Sequence, residues 1–180
     1  MKQIINLKTV ALVAFLSVFS ANFANSSEIA ILDVDRIVKE SKAMKYIQET
    51  VAKQQDKYQK EVTKRQQDLE KEQKKVEGKK SVLSEKAFED EVKKFEDKID
   101  TLKTFVDRRQ NSLKKASLDA MSKVNETVKE IITDISKEKN IDALIPSSQA
   151  LYYREELDIS EEVLTRLNKK ITKVSIKFDE

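Results

Sequence analysis

The sequence contains no cysteine, no histidine and no tryptophan, and only one glycine and one proline in 180 residues. Without His or Cys there is no Cys–His or Ser–His nucleophile pair, no ordinary zinc ligand set and no disulfide. A single glycine, Gly78, cannot supply the glycine-rich loops that cradle phosphates or dinucleotides. The missing thiol also rules out a lipoprotein anchor on cysteine. Carboxylates are plentiful, yet they fall on charged helix faces where nothing would shift their pKa toward acid–base work. No catalytic residue, metal or cofactor is therefore expected, and the chain reads as a non-enzyme. Charge of one sign is missing too: with Lys2 and Lys8 set aside, 33 basic residues face 32 acidic ones. Such a balance gives no field for nucleic acid.

What the chain has in abundance is charge with helical periodicity, since Asp, Glu, Lys and Arg make up 37% of it. Met44, Val51 and Tyr58 recur every seven residues, and Val62, Leu69 and Val76 form an interleaved row. Past Gly78 the alternation resumes through Phe88, Val92, Phe95, Ile99, Leu102, Val106 and Leu113. Such spacing buries one narrow stripe and predicts two long helices folded back on each other, an arm over 44–137 with its tip near Gly78. Each helix would reach roughly 50 Å or more, beyond the width of a compact domain of this size. Gln48, Gln55, Arg65 and Glu72 interrupt the first seam, as a tightly specified coiled coil would not. At the tip, Gly78-Lys79-Lys80 is expected to reverse the chain and Ser81 or Ser84 to cap the returning helix. Around Ala116 and Ala120 the seam residues shrink. Beyond them Met121, Val124, Val128, Ile131, Ile132 and Ile135 make a denser stripe, which predicts that the helix enters a body there.

The two ends supply that body, 27–43 plus 138–180. Residues 1–26 read as a cleaved secretory signal peptide: Lys2 and Lys8 precede the apolar run Val10 to Phe19, and Ala24-Asn25-Ser26 offers a cleavage site. The run is short for a membrane span, which makes an uncleaved tether the weaker alternative. Ser27 to Val34 reads as a strand, followed by a helical piece capped by Asp33 or Asp35; capping outweighs a catalytic aspartate pair, because nothing else would work with such a pair. Ile141–Ile145 and Ala150–Tyr153, separated by Pro146 and Ser147-Ser148-Gln149, are expected to form a hairpin. A last amphipathic helix follows through Val163, Leu164, Leu167 and Ile171. Three short strands and one small helix bury too little to be stable singly, so oligomerisation is expected to complete the sheet. The predicted fold is mainly α, a long helical hairpin projecting from a small β-strand body.

This order of segments resembles the Skp/OmpH family of periplasmic chaperones, with Glu28-Ile-Ala-Ile-Leu-Asp33, Asn140-Ile-Asp-Ala-Leu-Ile145, Ala150-Leu-Tyr-Tyr153 and Asp158-Ile-Ser-Glu-Glu-Val-Leu164 carrying the likeness. The resemblance implies a homotrimer with a central β-barrel and helical arms around a cavity. It further implies an ATP-independent holdase for unfolded outer-membrane β-barrel proteins in the periplasm. It also implies a lipopolysaccharide or membrane-surface contact through a lysine followed ten residues on by an arginine pair, here Lys98 with Arg108 and Arg109.

A holdase needs many weak, non-directional contacts, and the arm aromatics Phe105, Phe88, Phe95 and Tyr58 are the candidates. Phe88, Phe95 and Tyr58 sit on the seam, where they would staple the two helices together. Phe105 lies off it and is the first choice for client contact. The rival function is a structural periplasmic coiled-coil spacer or adaptor that bridges envelope components through a tip bearing Lys79 and Lys80.

Overall fold

The structure is a computed structural model that describes residues 28–179, so the expected leader lies outside the described residues. Strand β1, Glu28–Leu32, leads into helix α1, Val34–Glu40. The side chain of Asp33 caps α1 by accepting the Arg36 N–H at 2.8 Å, while Asp35 lies in the first turn. Ser41 ends that helix and caps the next. It is completely buried, and its Oγ accepts the Met44 N–H at 3.2 Å.

Helices α2, Lys42–Lys79, and α3, Glu85–Lys139, form the predicted hairpin. Their 38 and 55 residues correspond to roughly 57 and 80 Å of helix. The reversal departs from expectation. Gly78 stays inside the last turn of α2 without a positive φ, and the chain turns over Lys80–Leu83. One glycine weakens a helix by only about 1 kcal/mol, which does not end it. The stop is set instead by Ser84, whose Oγ accepts the Ala87 N–H and starts α3 afresh. At the far end Asn140 adopts the left-handed conformation, φ 54°, that closes α3.

Strand β2, Ile141–Pro146, pairs in parallel with β1, setting Ile29 against Ala143, Ala30 against Leu144 and Ile31 against Ile145. The hairpin expected between β2 and Ala150–Tyr153 does not form: Ser147–Gln149 is a short 3-10 turn, and Ala150–Tyr153 is not a strand. The whole arm separates β1 from β2 and acts as a long crossover, the connection that parallel pairing needs. The chain rejoins the sheet later, on the other edge of β1, where the Ile159 N–H donates to the Ile31 carbonyl at 3.0 Å.

Helix α4, Ser160–Lys170, then packs across the base. Its start is pinned where β1 meets α1, because the Asp33 N–H donates to the Ser160 Oγ at 2.7 Å. The core gathers there: Ala30, Leu32, Ile37, Met44 and Ile47 meet Val124, Ile131, Ile135, Val163 and Leu167. Ion pairs bind the helices at its rim. Arg166 forks onto Glu138 at 2.8 and 2.5 Å and reaches Glu162, Lys139 meets Glu162 at 2.7 Å, and Lys170 meets Glu130 at 2.8 Å. These partners hold the carboxyls of Glu138 and Glu162 below the usual carboxylate range.

Candidate functional site

The hairpin meets in rungs. Tyr58, Arg65, Glu72 and Lys79, seven residues apart on α2, face Arg109, Phe105, Lys98 and Glu91 on α3. Two of the polar residues that interrupt the seam thereby acquire roles. Arg65 lays its guanidinium over the Phe105 ring, 4.1 Å from the centroid, and Glu72 pairs with Lys98. Nearer the tip, Lys79 pairs with Glu91, which also takes Lys94 at 2.9 Å. Flanked by two ammonium groups, the Glu91 carboxyl is pushed down to about 2.

The densest rung is the innermost. The Arg109 guanidinium lies 4.7 Å from the Tyr58 ring centroid and 4.9 Å from that of Phe105, so Phe105 sits between two arginines. Tyr58 is buried and Phe105 half-buried. Among the described residues, Arg109 Nε is a buried side-chain nitrogen without a hydrogen-bond partner, which is consistent with its place against the rings. Beside this stack opens a hollow of about 550 Å³ lined by Arg65, Asp97, Thr101, Phe105, Arg108 and Arg109. Its lining mixes one aromatic face with charges of both signs. It offers weak apolar and electrostatic contact.

The predicted site residues are thus divided. Phe105, Tyr58 and Arg109 come together, with Arg108 on the same hollow, whereas Phe88 and Phe95 are half-buried further out along the hairpin. Lys98 lines an adjoining hollow with Glu72, Leu69 and Leu102, which shares Arg65 and Thr101 with the first. Of the proposed headgroup triple, Lys98 is engaged by Glu72, Arg109 is stacked, and Arg108 is exposed. Sequence reading passed over Arg65 as a mere interruption. Its spacing of seven from Tyr58 was the available signal.

A second unforeseen feature touches this rung. Beyond α4 the tail Thr172–Asp179 runs back beside the arm. The Asp179 carbonyl accepts from Arg109 at 3.1 Å and from the Ser112 Oγ at 3.0 Å, while the Asp179 carboxylate meets Lys115 at 3.2 Å.

The base carries exposed apolar groups of its own. Leu151 and Tyr152 are fully or almost fully exposed, and Ile29, Ile145, Tyr152 and Leu157 line a hollow of about 460 Å³ beside the sheet. A groove of about 380 Å³ between α1 and the foot of α3 is lined by Val34, Val38, Val128 and Ile132 among others. No helix among the described residues is long and apolar enough to cross a membrane, and no cluster of acidic residues there is arranged to hold a metal ion.

The profile of the family described as Outer membrane protein (OmpH-like) matches residues 28–167. The chain belongs to the OmpH-like family. The fold agrees: a crystal structure of a candidate outer membrane chaperone (OmpH-like) from Caulobacter crescentus CB15 superimposes with a TM-score of 0.78 at 18% identity, covering 86% of this chain and 91% of that one. No curated protein matches the sequence. The OmpH-like match ends at Leu167, which leaves the tail outside it.

Proposed function

We propose that this OmpH-like chain is an ATP-independent holdase of the periplasm, which binds unfolded outer-membrane β-barrel proteins between helical arms and keeps them from aggregating. The observation that carries this reading is where the fold is buried. Of residues 52–115, which form the outer arm, only Tyr58, Val76 and Ser112 are buried, while the extended core sits at the base. The arm's surface is thus free for contact with another chain. Its charges keep it soluble when empty and make client contact sensitive to salt. Phe105, with its flanking arginines and open hollow, is the first client contact, followed by the half-buried Phe88 and Phe95; Tyr58 serves mainly to order that rung.

The base completes the proposal as a homotrimer. A two-stranded sheet with Leu151 and Tyr152 exposed beside it leaves backbone and apolar surface for other subunits to cover. Arms from the subunits would then bound a shared cavity. An anionic lipid headgroup at Lys98, Arg108 and Arg109 would have to displace Glu72 from Lys98 and Asp179 from Arg109, so Arg108 is its first point of contact.

The test is dilution of a denaturant-unfolded outer-membrane β-barrel protein into buffer without ATP. Light scattering should stay low once about one trimer per client is present, and the effect should weaken as salt rises. Scattering that rises unchanged at every salt concentration would reject the holdase and favour a spacer. The spacer is the rival that the cross-arm pairs Lys79–Glu91 and Lys98–Glu72 support, because they stiffen the hairpin.

A further inference from the structure

The tail is seated on the arm as an extended peptide. Its burial alternates: Val174 is buried and Ile176 and Phe178 half-buried, while Ser175, Lys177 and Asp179 are exposed. A period of two is the mark of extended backbone with one face down. The anchoring distances agree. Lys123 donates to the Ser175 carbonyl at 3.4 Å and Ser112 to the Asp179 carbonyl at 3.0 Å, so the tail runs antiparallel to α3. Those two helix positions are roughly 16 Å apart along the axis, and four residues span at most about 14 Å, so the tail must be almost fully stretched with the lysine side chain reaching the rest.

Two features of this seat are independent of the tail's sequence. The arm grips main-chain carbonyls, through Lys123, Arg109 and Ser112, which any extended chain would offer. Between the grips, Ala116 and Ala120 continue the helical stripe of Ser112 and are buried. On the α2 side Lys173 lies 5.8 Å from the Tyr46 ring, and Ile176 packs against the core. The seat also continues outward, because Arg109, which holds the far end of the tail, lines the open hollow beside Phe105.

We infer that this seat is a receptor for an extended chain with apolar residues at every second position, and that the tail is its resident occupant, displaced when a client segment binds. The alternation of Val174, Ile176 and Phe178 is the pattern of a strand whose two faces meet different surroundings, as in a membrane β-barrel. This inference rests on the holdase reading for the identity of the client, and on the seated tail for the site itself. The tail therefore acts as a tethered competitor, covering the apolar seat until a client is at hand.

The natural absence of cysteine allows a clean test in the full chain. In the double variant Ser112→Cys, Asp179→Cys, a disulfide would lock the tail in its seat, and reduction would free it. The probe is a fluorescent peptide with the sequence of residues 172–179, with a control of the same composition whose apolar residues are adjacent. The reduced tail, though tethered, exchanges with its seat and lets the probe in, whereas the locked tail does not, so oxidation should weaken probe binding at least about tenfold relative to the reduced form. The control peptide should bind poorly to both. Equal probe affinity in the two forms would overturn the inference, as would failure of the disulfide to form in a helical, folded protein. Aggregation of an unfolded β-barrel client is followed in parallel. Equal protection by locked and reduced protein would remove the seat from client binding and leave the holdase standing. No protection by either form, with probe binding still redox-dependent, would reject the holdase and leave the seat.

Discussion

Replacing Ile135 by Ala removes a side chain that is completely buried where α3 enters the base. Three buried carbons at about 0.8 kcal/mol each give about 2.4 kcal/mol of lost transfer energy. The cavity left in a cluster shared by β1, α1, α2 and α4 raises the cost to about 3–4 kcal/mol. Phe95→Ala, on the outer arm, removes a larger side chain, yet one only half-buried along a narrow seam, so about 1 kcal/mol is expected there. In urea, with a slope near 2 kcal/mol per molar, the midpoints should fall by about 1.5–2 M and about 0.5 M respectively. Circular dichroism at 222 nm reads both, at one fixed protein concentration, because in the proposed trimer association would add to apparent stability. Equal shifts for the two variants would refute the confinement of the core to the base.

Four further outcomes follow from the same geometry. The Glu91 carboxyl, with its folded value depressed from 4.5 to about 2, stabilises the tip above about pH 4.5, and that contribution is lost as pH falls toward 2. An NMR titration should place its midpoint near 2, and Lys79→Met should move it back up toward 4.5. Ser41→Ala removes the cap between α1 and α2 and should cost about 1 kcal/mol in urea denaturation, or somewhat more because the site is fully buried. Ala120→Leu overfills a position that is 1% exposed and should cost about 1–3 kcal/mol in the same urea assay. Leu151→Ser with Tyr152→Ser touches little within one chain and should leave its helicity intact, while light scattering shows a lower molar mass if these residues sit between subunits.

Much of the arm was legible because its determinants are local. The heptad rows place Tyr58 and Val76 inside the hairpin, Asp33 and Ser84 cap helices as their side chains dictate, and the dense stripe from Val124 to Ile135 does enter the core. What escaped depended on contacts distant in sequence. The pairing of Ile29 with Ala143 spans the whole arm, and two apolar runs either side of Pro146 suggest a hairpin only while β1 is ignored. Gly78 looked like a helix stop, yet one glycine costs a helix only about 1 kcal/mol, and α2 runs through it to Lys79 before the turn that leads to the Ser84 cap. The tail went unread although its period of two was visible, since nothing local says that Val174 and Ile176 have an arm to lie against. The same holds for Arg65: seven residues from Tyr58, it was a seam position whose partner, Phe105, lay on the other helix.

The most direct test of the account is hydrogen exchange by mass spectrometry on the protein with and without a bound unfolded β-barrel client. Protection should appear along the arm, strongest around Tyr58, Phe105 and Arg109 and extending toward Phe95, with the base around Ile135 and Leu167 unchanged. Protection confined to the base or to the turn at Lys80–Leu83, with the arm exchanging as before, would contradict it.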